Sequence, residues 1–312
     1  MGLAYAYHKA IALFLRGLVK PRLHLNPKPD ETVSIPSRQS DRTIKTHVYK
    51  SASKKTPSPV LVNFCGSGFV LRTFGTDDEY CRLIADQTDY TVIDVQYRLA
   101  PEHPFPAAFE DAEDVVTWIR SQPDRFDLSH LSLSGFSAGG NIALAISSSS
   151  SLFKSTEKGN IFNTVISFYG ITDMALETPI KPMPDTSNFI MRRIFPSFSH
   201  LCHKCLLMNG ADPTDLRMSP GSADPQNFPD HVLIITAAQC SFAIEGEKLA
   251  EKIGSLDGGI EGKLTVCCRM DGCAHGWDKE VVRGTSQCKA KDEAYTLAVE
   301  MLQTGVNQNI EA

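Results

Sequence analysis

Short runs rich in β-branched and aromatic residues recur along this chain, separated by stretches with helical spacing or by glycine and proline. They are Pro59–Phe64 (PVLVNF), Tyr90–Tyr97 (YTVIDVQY), Leu131–Phe136 (LSLSGF), Asn163–Tyr169 (NTVISFY), His231–Ala237 (HVLIITA) and Lys263–Arg269 (KLTVCCR). Strands that are apolar at nearly every position are buried on both faces, as in a mainly parallel sheet covered by helices. Helical spacing over Ala107–Arg120, Ala243–Ile253 and Asp292–Gln303, and from Ala138 onward, supplies the covering layers. Arg42–Lys50 alternates instead, in the manner of a half-exposed strand. The pattern predicts an α/β fold whose sites lie beyond the carboxyl ends of the strands.

With 312 residues, 42% of them apolar, such a fold can bury its core without disulfide or metal staples. A single domain over 1–312 is expected, with its core at about 41–174 and 216–312. A helical cap is expected from about 1–40 and 175–215. Asp173–Leu216 breaks the alternation and holds Pro179, Pro182, Pro184, Pro196 and Pro213. Pro21–Pro36 reads as a proline-rich connecting arm. Near the start, Leu3, Tyr7, Ile11, Leu13, Leu15 and Leu18 can share one broad helical face. Packing of that face on the protein itself is the simpler expectation, and adhesion to a membrane surface is the rival. The segment is too short and too interrupted by charge to span a bilayer, so no stable membrane insertion is expected.

The formal charge of −5 offers no basic surface for nucleic acid. Nine scattered cysteines do not read as a secreted disulfide framework, and no secretory or peroxisomal signal is found, so a cytoplasmic location is expected. His200, Cys202, His203 and Cys205 fall within six residues, but a single C-x-x-C is weak evidence for zinc and a helix face explains it as well. With no dinucleotide fingerprint or phosphate loop, neither a cofactor nor a metal is expected. The oligomeric state is left open.

The chemistry concentrates in Gly135-Phe136-Ser137-Ala138-Gly139-Gly140, a G-x-S-x-G between a predicted strand and a predicted helix. A serine on so tight a turn stands clear of the sheet, and glycines on either side remove side chains that would collide. The Ala138 N–H, at the start of the helix, is placed to hold an oxyanion. A second glycine-rich loop, Cys65-Gly66-Ser67-Gly68, follows an apolar strand. Together with Tyr97-Arg98-Leu99-Ala100-Pro101-Glu102 and Phe105-Pro106-Ala107-Ala108, these blocks resemble the hormone-sensitive-lipase branch of the α/β hydrolases (fold-3) over about residues 58–280. In flavour the chain is similar to the fungal secondary-metabolite esterases of that branch.

The resemblance implies that Ser67 and Gly68 donate the other oxyanion amides, with Gly66 giving the turn. It implies structural roles for Arg98 and Glu102. It also exposes departures. Cys65 stands where the family has histidine, Ser67 where it has the middle glycine, and Phe136 where it has an aspartate beside the nucleophile. His275, in Asp271-Gly272-Cys273-Ala274-His275-Gly276-Trp277, occupies the family's position for the general base. The family acid follows the penultimate strand, and the match through Glu245-Gly246 puts Cys240 there. A neutral thiol stabilises an imidazolium poorly. Three outcomes stay open: a Ser137–His275 dyad, Glu245 or Asp271 as substitute acid, or loss of the hydrolytic role. The expected activity is hydrolysis of a small organic ester by Ser137 and His275. The alternative is a non-hydrolytic relative, a cyclase or small-ligand binder, and acyl transfer to an alcohol is a third.

Overall fold

A computed structural model describes residues 2–19, 25–149, 153–155, 159–176, 181, 189–257 and 262–308. Helix α1 (Leu3–Val19) precedes strands β1 (Glu31–Pro36), β2 (Thr43–Tyr49) and β3 (Ser58–Phe64). Then come α2 (Asp78–Gln87), β4 (Thr91–Val95), α3 (Ala107–Arg120), β5 (Phe126–Phe136) and α4 (Ala138–Ser149). A two-stranded hairpin, β6 (Lys154–Ser155) with β7 (Gly159–Asn160), leads to β8 (Thr164–Phe168). Helices α5 (Phe189–Arg193) and α6 (Phe195–Leu206) come before β9 (His231–Ala237), α7 (Ala243–Asp257), β10 (Leu264–Met270) and α8 (Ser286–Gln308).

The main sheet has eight strands in the order β1-β2-β4-β3-β5-β8-β9-β10. Its six strands from β4 to β10 pair in parallel, and β2 is antiparallel to both neighbours. Every residue of β3, β4, β8 and β9 is buried, which is what their unbroken apolar runs require. This is the α/β-hydrolase arrangement.

Three expectations need correction. Part of the proline-rich arm is strand: Glu31–Pro36 pairs with β2 at the sheet edge, where a proline costs no ladder bond. A helix, α2, lies where none was expected, burying Tyr80, Cys81, Ile84 and Ala85. Helix α1 turns a different face inward. Ala12 and Arg16 are buried, while Leu3, Tyr7, Leu13 and Leu18 are exposed. The small Ala12 packs with Val70, Ala100, Cys202 and Cys205. Arg16 makes two 2.9 Å bonds to the Glu102 carboxylate and donates to the Val70 and Ala100 carbonyls at 2.8 and 2.9 Å. A buried guanidinium needs such full pairing, and that requirement sets the orientation of the helix. Glu102 thus has a structural task, as does Arg98, which holds Asp111 of α3.

Part of the expected cap segment, residues 177–180 and 182–188, lies outside the described residues. Within the rest, α6 packs Cys202 and Cys205 against Ala12 of α1, and His203 Nε2 lies 2.9 Å from the Met174 carbonyl.

The turn between β5 and α4 leaves no room for side chains. A methyl on Gly139 would sit 1.8 Å from the Phe64 carbonyl oxygen, and one on Gly135 would sit 2.3 Å from Gly139. Gly139→Ala is therefore expected to give no folded protein, or to lower the unfolding free energy by more than about 4 kcal/mol in chemical denaturation. A denaturation midpoint equal to wild type would show that β3 and α4 can separate.

Candidate active site

Ser137 is the first residue beyond β5 and adopts φ +53°, a left-handed conformation that is strained for serine. Its N–H donates to the Phe168 carbonyl at 2.8 Å and its carbonyl accepts from the Asn141 N–H at 3.0 Å. Two bonds to neighbouring elements thus hold the strained residue in place. His275 arrives from the other end of the chain. Strands β9 and β10 run in parallel with Ala237 opposite Met270, so the loops that follow them lie side by side. The Gln239 N–H donates across to the Cys273 carbonyl at 2.9 Å.

The result is a relay of three side chains. His275 Nε2 lies 2.8 Å from Ser137 Oγ, and Cys240 Sγ lies 3.2 Å from His275 Nδ1. The thiol therefore occupies the place of the acid. Neither substitute acid reaches the ring. Glu245 accepts from the Thr172 N–H and pairs with Lys181. Asp271 is exposed in the turn after β10. Cys65 is also apart from Cys240, with its Sγ 3.7 Å from Thr73 Oγ1.

Burial sets the charge states. It lowers the His275 imidazole to about 4, with the Asp278 carboxylate opposing, and raises the Cys240 thiol to about 12. Both groups are neutral across the intervening range. A carboxylate only accepts hydrogen bonds, so it forces the proton onto Nδ1 and leaves Nε2 free to take one from serine. A thiol can donate or accept, so it does not enforce that tautomer. What holds the ring is packing: Phe195, Tyr169 and Phe242 lie 4.7, 4.8 and 5.4 Å from it, centre to centre.

The glycine loop faces Ser137 from the other side. Tyr97 OH donates to the Cys65 carbonyl at 2.6 Å and lies 2.7 Å from Ser67 Oγ. Thr73 Oγ1 donates to the Gly66 carbonyl at 2.7 Å. A methyl on Gly66 would come 3.0 Å from the Phe136 carbonyl oxygen, and Gly68 has φ +57°. Among the described residues, the N–H groups of Ser67, Gly68 and Ala138 donate to no protein acceptor. Side chains thus hold a loop with unpaired amides beside the serine hydroxyl.

Behind the serine, Phe136 stacks on Phe168 at 4.3 Å, and the Lys279 ammonium lies 3.3 Å from the centre of its ring. Lys279 is ion-paired at 2.8 Å to both Asp77 and Asp278. Asp278 also accepts from Tyr169 OH at 2.5 Å and Tyr295 OH at 2.9 Å. Sequence reasoning passed over this cluster, although Asp278-Lys279 lies only a few residues beyond His275 and could have been found there.

A narrow cleft opens on Ser137 and His275. Phe69, Ile171, Met174, Phe195, Phe198 and Phe242 give it an apolar wall, which also includes Lys181.

The fold and this site define a class, and comparison with known proteins agrees. The chain belongs to the α/β-hydrolase family: a profile described as "alpha/beta hydrolase fold" matches residues 61–279. Esterase LipI of Mycobacterium tuberculosis is 40% identical over 107 residues, 33% of each chain. Versiconal hemiacetal acetate esterase of Aspergillus parasiticus is 35% identical over 117 residues, 38% of this chain and 36% of its own. The crystal structure of EstE1, a thermostable carboxylesterase cloned from a metagenomic library, superposes with a TM-score of 0.77 at 25% identity, covering 94% of this chain and 97% of that one. Matches to the first curated relatives span only 33–57% of their own lengths. Among the described residues, no helix is long and apolar enough to cross a membrane.

His275 is expected to stay neutral as pH falls below its ordinary 6.5 and to take up a proton only near about 4, followed by ¹⁵N NMR of the imidazole. Cys240→Asp places an anion on Nδ1 and is expected to move that midpoint up by about 1–3 units. A wild-type midpoint at 6.5 would contradict the desolvated ring.

Proposed function

We propose that this chain is a serine-dependent carboxylic ester hydrolase for small organic esters. The carrying observation is the 2.8 Å contact between His275 Nε2 and Ser137 Oγ beside unpaired amides. Neutral His275 takes the Ser137 proton as the oxygen attacks the ester carbonyl. The amides of Ser67, Gly68 and Ala138 receive the negative charge on the carbonyl oxygen. The imidazolium then protonates the departing alcohol. Water, deprotonated by the same ring, releases the acid and restores Ser137. Cys240 accepts the Nδ1–H in this cycle. Lacking a charge, it stabilises the imidazolium less than a carboxylate does.

The naming of several relatives as esterases supports this reading. Likeness to versiconal hemiacetal acetate esterase supports a place in secondary metabolism. We place the single domain in the cytoplasm, because its nine scattered cysteines do not read as a secreted disulfide framework. We assign the cap to α1 together with α5 and α6, because α1 and α6 pack on each other and α6 lines the cleft.

A fluorophosphonate probe is expected to label the wild type and not Ser137→Ala. Failure to label the wild type would favour the non-hydrolytic alternative, a binder or cyclase. Cys240→Asp is expected to raise kcat on a simple aryl acetate at least about tenfold, since losing the acid costs roughly 10⁴ in serine-protease triads. An unchanged or lower kcat would mean that the site has been rebuilt around the thiol.

A further inference from the structure

Glu245, partly buried, and Lys181, buried, form an ion pair that the reaction above does not use. Lys181 Nζ lies 2.5 Å from Glu245 Oε2 and 2.5 Å from the Asp173 carbonyl oxygen. Glu245 Oε1 accepts from the Thr172 N–H at 2.9 Å. The lysine side chain is only 3% exposed, yet it lines the cleft that opens on Ser137 and His275. Its ammonium lies 4.9 Å from the centre of the Phe242 ring, and that ring packs edge-on to His275 at 5.4 Å. The ammonium is thus two ring contacts from the reacting atoms. An ammonium has three donors, two are taken, and the described residues offer no third acceptor.

We propose that Lys181 is a specificity residue. It donates its remaining N–H to a neutral oxygen at the far end of a flat aromatic ester whose scissile carbonyl lies at Ser137. This rests on the ester-hydrolase reading. The aromatic body follows from the wall, where Phe69, Phe195, Phe198 and Phe242 offer ring surfaces. The oxygen follows from the donor, because an ester without an acceptor leaves a buried N–H unsatisfied. Its neutrality follows from Glu245, which already balances the lysine. A substrate carboxylate would bring a second anion into the same dry space, where the described lining residues offer no second cation. A carbonyl or hydroxyl takes the bond without that cost.

The test uses 2-naphthyl acetate, its 6-acetyl derivative and its 6-carboxy derivative. They are compared on wild type and on the double variant Lys181→Met, Glu245→Gln, which leaves no unpaired charge and keeps an acceptor for the Thr172 N–H. In the wild type, kcat/KM for the acetyl ester is expected to exceed that for the carboxy ester at least about tenfold. In the double variant the acetyl ester is expected to lose at least about tenfold more than the plain ester. Comparing ratios between proteins cancels the intrinsic reactivity of each ester. Equal losses on all three esters would reduce the pair to a tie between residue 181 and α7 and overturn the proposal. A wild-type preference for the carboxy ester would overturn it too. Fluorescence titration with the three naphthols reads the same contrast without turnover. Binding with the expected contrast but no hydrolysis would uphold Lys181 and end the ester-hydrolase reading, whereas hydrolysis without contrast would end the role of Lys181 alone. If the double variant does not fold, the wild-type naphthol affinities decide.

Discussion

The site depends on holding Ser137 in a left-handed turn with its hydroxyl clear of the sheet. Glycines at 135 and 139 let α4 close against the end of β3, and the Phe168 carbonyl holds the Ser137 N–H. The same turn leaves the Ala138 amide unpaired at the start of α4, opposite the Ser67 and Gly68 amides. Backbone strain at one residue thus gives the hydroxyl its exposure and leaves unpaired main-chain donors beside it.

In a triad the acid has two tasks, to orient the imidazole and to stabilise its positive charge. This protein separates them. Orientation comes from three aromatic rings packed around His275 and from Cys240 at Nδ1. Among the described residues no anion touches the ring, and burial holds its affinity for a proton low. The Asp278 carboxylate acts on it favourably but is already engaged by Lys279, Tyr169 and Tyr295. In the proposed reaction such a ring is a well-placed but weak base.

Phe136 stands where the resemblance puts an aspartate, and a cluster of buried charges packs behind it. The aromatic face stacks on Phe168 and carries the Lys279 ammonium. Lys279 in turn spans Asp77, in the loop after β3, and Asp278, in the loop that carries His275. A buried cation between two carboxylates ties the two loops that flank the serine. Removing it would leave both acids uncompensated.

The residue types along the chain determined the sheet, the elbow and the candidates for chemistry. His231–Ala237 and Ala107–Arg120 were legible to the residue because an apolar period is a local property. Glu31–Pro36 was not, since an edge strand tolerates the proline that argues against a strand elsewhere. Cys240 was legible as the residue at the acid's position, but not as the imidazole's partner. That contact joins residues 35 apart, and the one to Ser137 joins residues 138 apart. Sequence could name three competing carboxyl or thiol groups for one nitrogen, and only the in-register pairing of β9 with β10 chose among them. The inward face of α1 and the engagement of Glu245 by Lys181 were likewise decided by tertiary structure. A buried charge goes where its counter-charge is, and the partner's position is fixed by the fold rather than by its neighbours in the chain.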